Sequence, residues 1–218
     1  MSFTDRMKLA EKLEANFIDA FNKHCDSHQI IKYGIESSKL VEAHEYVRGC
    51  HDDTSKFIRY IPDSVLVSNN SSKGDTTLIE FKAATTGIKS DSFFNRLRSQ
   101  ECPEMEPQFD TKKDVFNIES EALELYSKLV GIGVRVVIVV YAGFRSDYPL
   151  RAQFVQNIVK CNTWNPNKRG MNAGSGTFLS NVNLISFDQM ASFFHNELGV
   201  NYSSVLETQN AVTKAFSN

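Results

Sequence analysis

Two short segments of the chain combine residue types that could do chemistry. Asp63 follows Pro62, and Glu80, Phe81 and Lys82 come together further along the chain. Because side chains alternate along a strand, Glu80 and Lys82 would share one face while Phe81 enters the opposite, core-side face. Two carboxylates held close together repel each other unless a cation lies between them. Asp63 and Glu80 therefore predict a site for a hard divalent ion such as Mg²⁺.

Hydrolysis of a phosphodiester is the chemistry that such a set supports. Mg²⁺ can polarise the phosphate, lower the pKa of a bound water and neutralise charge on the departing oxygen. Lys82 would orient the attacking water and stabilise the pentavalent phosphate. An alternative stays open, because Glu80 and Lys82 taken alone fit an exposed ion pair on a half-buried strand. Asp110 and Lys112 have the same acid-x-Lys spacing in a polar, turn-like stretch.

The segments around these residues predict the elements that must position them. Residues Thr4 to Lys23 have their apolar side chains at helical spacing, which predicts an amphipathic helix capped by Thr4. Phe57 to Ser68 and Thr76 to Ala83 are predicted to form a hairpin. Ile118 to Leu129, a glycine turn and the β-branched run Val134 to Tyr141 predict a helical crossover onto a parallel strand.

The other segments are less regular. We expect one domain over residues 1–218, with a core at 1–143 and a C-terminal elaboration at 144–218. The polar stretch Ala84 to Asn117 is predicted to be a long functional loop. The remaining predictions are a short strand at Gln29 to Ile35, helices at Lys39 to Arg48, Ser92 to Gln100 and Ala152 to Val159, a strand at Val182 to Phe187, and a helix at Asp188 to Leu198 capped by Asp188.

Pro62, Asp63, Glu80 and Lys82 together resemble the motif of the PD-(D/E)xK nuclease superfamily, which includes type II restriction endonucleases and archaeal Holliday-junction resolvases. The predicted order of elements is similar as well: a helix bearing an acid, strands carrying the two motif halves, then a helix and a parallel strand. The resemblance implies an α/β fold with a restriction-endonuclease-like core (αβββαβ), a mixed central sheet flanked by helices, and a C-terminal extension.

The resemblance also implies roles for individual residues. Asp63 and Glu80 would be metal ligands together with the backbone carbonyl of Phe81, and Lys82 would be the catalytic lysine. Mg²⁺ is the implied cofactor, and Mn²⁺ is expected to substitute for it. Glu14 falls on the flank of the apolar stripe of the first helix, and it matches the first-helix acid of resolvase-like members. The acids that compete with Glu14 for this role are Glu11, Glu36, Glu42 and Glu45.

The implied activity is that of a metal-dependent endonuclease acting on DNA. Restriction, resolvase, transposition and homing enzymes all share these residues, and a homodimer is one assembly open to such a protein. Two alternatives remain: a non-catalytic nucleic-acid or protein binding module on the same scaffold, and an RNA-cleaving relative. No nucleotide cofactor is expected, because Gly174 to Thr177 lacks the lysine and spacing of a Walker motif.

The charge distribution bears on nucleic-acid binding. The 24 Lys and Arg against 26 Asp and Glu argue against binding by bulk electrostatics. Arg145 to Gly170 is locally basic, and Trp164 is available there to stack on a base. A solvated basic face with one core tryptophan is the alternative. The predicted nucleic-acid contacts are Lys89, Arg96, Arg151, Lys160, Trp164, Lys168 and Arg169.

Compartment is predicted from the apolar runs and the cysteines. The longest apolar run, Val136 to Phe144, is far shorter than the roughly 20 residues that a membrane-spanning helix needs. Met1 to Lys12 is too charged for a secretory signal, and the four cysteines are widely dispersed. We therefore expect a soluble cytoplasmic protein with reduced thiols and no membrane association.

Overall fold

The chain has an α/β architecture in which a mixed central sheet is flanked by helices. A computed structural model describes residues 3–32, 52–69, 76–84, 91–99, 111–144, 149–164 and 178–216. The helices are α1 (Phe3–His24), α2 (Asp53–Tyr60), α3 (Asp91–Ser99), α4 (Ser120–Gly131), α5 (Met190–Leu198) and α6 (Tyr202–Phe216). The strands are β1 (His28–Lys32), β2 (Ser64–Ser68), β3 (Thr76–Ala84), β4 (Val115–Glu119), β5 (Val136–Ala142), β6 (Leu150–Phe154), β7 (Lys160–Trp164), β8 (Leu179–Asn183) and β9 (Asp188–Gln189).

The central sheet has the strand order β1-β2-β3-β5-β6-β9. Strands β1, β2 and β3 form an antiparallel meander, β3 and β5 are parallel, and β6 and β9 continue the sheet in antiparallel fashion. The connection from β3 to β5 passes through α4 and a turn in which Gly133 has a φ of +88°, where a side chain would be strained. The predicted hairpin and the predicted crossover onto a parallel strand are both confirmed.

Each face of the central sheet is covered by a hydrophobic core. On one face α1, α5 and α6 pack against the sheet through residues such as Phe17, Phe194 and Val205. On the other face α4 packs through Ala122 and Tyr126. Strand β5 is buried on both faces, as the β-branched run predicted. Residues beyond Gly143 contribute β6, β9, α5 and α6 to the same sheet and the same two cores.

The structure corrects several predicted elements in the first two thirds of the chain. Residues 57–60 belong to α2, and the strand begins only at Ser64, after Pro62. Helix α2 is held against α4, since the Tyr60 hydroxyl donates a hydrogen bond to Glu121 at 3.0 Å. The predicted loop ends earlier than expected, because residues 115–119 pair with β8 as strand β4, and α4 starts at Ser120. Helix α1 begins at Phe3, so Thr4 lies inside the helix and is not its N-cap.

Backbone pairing also overturns predictions in the C-terminal part. Residues 150–154 form β6, followed by one 3₁₀ turn, where a helix was predicted from Ala152 to Val159. Asp188 lies in β9 and does not cap α5, which begins at Met190. The strand expected at Val182 to Phe187 is displaced to Leu179–Asn183. The predicted helix at Lys39 to Arg48 and most of the predicted turn at 69–75 lie outside the described residues.

Candidate active site

The β2–β3 hairpin brings the two halves of the motif together. Ser64 pairs with Ile79 in the antiparallel register, so continuing that register by one residue places Asp63 alongside Glu80. The charges of the Asp63 and Glu80 carboxylates act on each other. Phe81 packs into the core on the α1 side, where its ring centroid lies 5.2 Å from that of Phe17. The predicted alternation is therefore confirmed, with Glu80 and Lys82 on the α4 side of the sheet.

Glu80 and Lys82 form an ion pair in the interior of the protein. The Nζ atom of Lys82 lies 2.7 Å from Oε1 of Glu80, and the side chain of Glu80 is only 8% exposed. The hydroxyl of Tyr126, on α4, donates a hydrogen bond to the Glu80 carboxylate. Tyr126 is itself 1% exposed. The alternative interpretation, an exposed ion pair on a half-buried strand, is therefore right about the ion pair and wrong about the exposure of Glu80.

The electrostatics of the pair are set by burial and by neighbouring carboxylates. Burial raises the pKa of Glu80, which the Lys82 ammonium opposes and the Asp63 carboxylate reinforces. Burial by itself would lower the pKa of Lys82, but the carboxylates of Glu80 and Glu119 outweigh it and hold that pKa above its ordinary range. Lys82 is therefore an ammonium at neutral pH.

Asp63 lies in a similarly unfavourable environment for a negative charge. Burial raises the pKa of its carboxyl group, and the Glu14 carboxylate raises it further. The ammonium groups of Lys32 and Lys82 oppose this shift without cancelling it. A half-buried carboxylate with two acidic neighbours is the arrangement that a divalent cation would relieve.

Glu14 reaches this site from α1. Its Oε1 accepts a hydrogen bond from the Ser64 hydroxyl at 3.2 Å, and its Oε2 lies 2.9 Å from Nζ of Lys32. The Glu14 side chain is 12% exposed. Among the acids that compete for the first-helix role, Glu36, Glu42 and Glu45 lie outside the described residues. Glu14 is the α1 acid whose charge acts on Asp63.

Three further residues belong to the site and were not singled out from the sequence. Glu119, at the end of β4, has its Oε2 3.7 Å from Nζ of Lys82 and is 41% exposed. Tyr126 was predicted only to lie within the helix Ile118 to Leu129, and Lys32 only within the short strand Gln29 to Ile35. The distances of these three residues from the motif along the chain do not predict that they lie near it. They reach the motif only because strands pair and helices pack in the folded protein.

The donor chemistry of the site fits a divalent cation. Four carboxylates (Glu14, Asp63, Glu80 and Glu119) face two ammonium groups, Lys32 and Lys82, which leaves a formal excess of negative charge. Carboxylate oxygens are the ligands that Mg²⁺ prefers. Within the described residues, no group of three or more Asp, Glu, His or Cys side chains is close enough together to hold a metal ion. Asp63 and Glu80 are the two acids of this set that the β2–β3 register places side by side.

The predicted nucleic-acid contacts fall on separate elements. Arg151, on β6, is partly buried and donates from Nη1 to the carbonyl of Phe187 at 3.2 Å. Arg96 is exposed on α3, where its guanidinium lies 5.0 Å from the ring centroid of Phe93. Lys160 is exposed and begins β7, which Trp164 ends. The side chain of Trp164 and the residues Lys89, Lys168 and Arg169 lie outside what the structure describes.

Comparisons with known proteins identify no relative: no protein-family model matches the chain, and no curated protein or solved structure shows significant similarity to it. Within the described part of the chain, every helix is too short or too polar to cross a bilayer. The fold is therefore defined here by its own architecture, an α/β protein with a mixed central sheet and flanking helices.

Proposed function

We propose that this protein is a Mg²⁺-dependent endonuclease with a restriction-endonuclease-like core, which hydrolyses phosphodiester bonds in DNA. One observation carries the proposal. The enclosed Glu80 carboxylate lies 2.7 Å from the ammonium of Lys82, and the β2–β3 register places Asp63 alongside it, where Asp63 also feels the charge of Glu14 from α1. Chance matches to a short acid-x-Lys motif do not predict such convergence in three dimensions.

The topology supports the proposed core. Helix α1 precedes an antiparallel meander of three strands, and α4 then leads to β5, which lies parallel to β3. With α2, α3 and β4 as insertions, this order is compatible with the αβββαβ core that the resemblance implies. Strands β6 and β9 and helices α5 and α6 would then be the extension, packed onto the sheet and onto the α1 face.

Asp63 and Glu80 would hold the metal in this proposal, with the carbonyl of Phe81 as a further ligand and Glu14 as an auxiliary one. When bound, Mg²⁺ would supply Lewis-acid polarisation of the phosphodiester and a lower pKa for an attacking water. The hydrogen bond from Tyr126 fixes the orientation of the Glu80 carboxylate, and burial keeps bulk water away from it. Pre-set ligands of this kind need little reorganisation during a reaction.

Lys82 would act as a cation. Because its neighbouring carboxylates keep it protonated, its ammonium can orient the attacking water and stabilise negative charge on the phosphate. The Lys82 side chain is 27% exposed, whereas that of Glu80 is 8% exposed. General-base catalysis by the neutral amine is disfavoured by the same electrostatics.

The proposal is tested by a cleavage assay on supercoiled plasmid with Mg²⁺, with Mn²⁺ and with EDTA. We expect metal-dependent cleavage by the wild type and a loss of at least about 100-fold in Asp63→Asn, Glu80→Gln and Lys82→Met. Asp19→Asn is the matched control, because Asp19 is an exposed acid on α1. Full activity in EDTA, or full activity in the three site variants, would contradict the proposal.

A non-catalytic binding module is the second candidate. It is favoured by the 2.7 Å ion pair, in which Lys82 already neutralises the carboxylate of Glu80 without a cation. This candidate predicts that the protein binds nucleic acid or protein without cleaving any substrate in Mg²⁺ or Mn²⁺. Assaying one preparation on plasmid, branched DNA and RNA separates the two candidates and also identifies an RNA-cleaving enzyme.

A further inference from the structure

Lys32, the last residue of β1, is a second lysine at the candidate site. Its Nζ atom lies 2.9 Å from Oε2 of Glu14, and its charge acts on Asp63. The side chain of Lys32 is 39% exposed, whereas that of its partner Glu14 is 12% exposed. The Lys32 side chain is therefore the more exposed partner of a pair that lies beside Asp63.

The two lysines approach Asp63 from opposite faces of the sheet. Lys32 pairs with Ser64, which pairs with Ile79, and Ile79 packs in the core on the α1 side. Lys32 therefore projects on the α1 side. Glu80 and Lys82 project on the α4 side, where Tyr126 contacts Glu80. Asp63 thus receives positive charge from both sides of the sheet at the position where β2 begins.

The surroundings of the two ammonium groups differ. Lys82 lies between two carboxylates, at 2.7 Å from Glu80 and 3.7 Å from Glu119. In the part of the chain that the structure describes, the charged partner within ion-pair distance of Lys32 is Glu14 alone. An ammonium carries three N–H donors, so Lys32 can bond to a phosphate oxygen without releasing Glu14. A phosphate next to acids needs such a partner to offset their repulsion.

We infer that Lys32 is a substrate-binding residue that contacts a backbone phosphate of the bound strand from the α1 side of the site. This inference rests on the proposed nuclease function, and it adds a phosphate contact that the motif residues do not supply. Glu14 holds the Lys32 ammonium in place at 2.9 Å. Under this inference Glu14 has two roles: it positions the phosphate contact, and it is an acid of the candidate metal site. The contact is independent of base sequence, because it is made to a phosphate.

The test compares Lys32→Gln and Lys32→Arg with Lys23→Gln, a control at an exposed lysine in the last turn of α1. All are made in the Glu80→Gln background, which prevents cleavage under the proposal. Binding of a fluorescent mixed-sequence DNA duplex is measured in Mg²⁺ at several salt concentrations. For Lys32→Gln we expect several-fold weaker binding and a plot of log K against log salt that is shallower by about 0.9, the contribution of one phosphate contact to duplex DNA. Lys32→Arg should restore the slope.

A second measurement separates substrate contact from support of Glu14. Mg²⁺ affinity is determined by calorimetry without DNA, with Glu80 intact. We expect Lys32→Gln to bind Mg²⁺ at least as well as the wild type, since a positive charge beside the acids has been removed. Unchanged DNA affinity and salt slope in Lys32→Gln, alongside cleavage by the wild type, would overturn the inference alone. Absence of cleavage of DNA and RNA by the wild type would overturn the proposed function together with the inference.

Discussion

The hydroxyl of Tyr126 donates a hydrogen bond to the carboxylate of Glu80, and the two residues as a whole are 1% and 6% exposed respectively. The donor comes from α4, which follows the motif strand in the chain and crosses one face of the sheet before β5. The helix that makes β5 parallel to β3 thus also fixes the direction of a candidate metal ligand. Helix α4 therefore both leads the chain to β5 and orients the Glu80 carboxylate.

Tyr126→Phe removes this hydrogen bond while keeping the ring in the core. We expect a loss of about 1 kcal/mol in the free energy of unfolding, since a buried carboxylate loses one donor. We also expect weaker Mg²⁺ binding, because the Glu80 carboxylate becomes harder to charge and less well oriented. Urea denaturation and calorimetry measure the two effects. Tyr202→Phe is the control, at a tyrosine that is 39% exposed, and equal Mg²⁺ affinity in both variants would contradict a role for Tyr126 at Glu80.

Asp63 makes stability depend on pH in the metal-free protein. Its pKa is raised in the folded state by burial and by Glu14, so the folded protein holds this proton more tightly than the unfolded chain. The stabilisation is fully present below the ordinary pKa of an aspartate, about 4, and is lost as pH rises through the higher folded pKa. Asp63→Asn cannot ionise, so we expect it to be more stable than the wild type at pH 7 and to lose this advantage near pH 4.

Denaturation of both proteins in EDTA across this pH range measures the effect, and Asp19→Asn at an exposed position controls for removal of a charge. In Mg²⁺ we expect the wild type to be more stable than Asp63→Asn, since a ligand that binds only the folded state stabilises it. Lower stability of Asp63→Asn at pH 7 without metal would show that the carboxylate is not held in an unfavourable environment.

The ion pair between Lys82 and Glu80 is expected to be strongly coupled. Lys82→Met leaves the enclosed Glu80 carboxylate without its counter-ion, and removing one partner of a buried pair costs about 3 kcal/mol. The double variant Lys82→Met with Glu80→Gln removes both charges and should recover much of this loss. A double-mutant cycle from urea denaturation at neutral pH gives the coupling free energy. Additive effects of the two substitutions would argue against a direct pair.

Glu119 is expected to position Lys82 while contributing little to the free energy of unfolding. It lies 3.7 Å from Lys82 and is 41% exposed, so Glu119→Gln should change the free energy of unfolding by less than about 1 kcal/mol. Under the proposed function we expect a lower kcat with little change in KM, because Lys82 loses one of the two carboxylates that flank it. The control is Glu124→Gln, at an exposed acid on α4, the helix that begins directly after Glu119. Equal kcat in the two variants would contradict a positioning role.

Much of the site's local geometry could be predicted from residues close together in the chain. Alternation along β3 is local, and it placed Phe81 in the core and Glu80 with Lys82 on the other face. The α1 stripe placed Glu14 at the edge of the buried face for the same reason. The crossover through α4 followed from a helix, a glycine turn and a β-branched run in direct succession.

Predictions failed where a distant segment decided the backbone. Residues 150–154 are a strand because they pair with β5 and β9, although their composition is compatible with a helix. Residues 57–60 are helical because they pack against α4, and residues 115–119 are a strand because β8 lies beside them. Local propensity is weak compared with the free energy of such packing and pairing.

The sequence by itself thus determined the motif, the face on which each motif side chain projects and the crossover that makes two strands parallel. Only the tertiary structure decided that Glu80 is enclosed, that Tyr126 and Glu119 contact the motif residues, and that Lys32 and Lys82 reach Asp63 from opposite faces. The physical reason is the separation along the chain of the residues that interact. Side-chain alternation acts between neighbouring residues, whereas burial, ion pairing and the resulting pKa shifts arise between residues that meet only when the sheet and its helices have assembled.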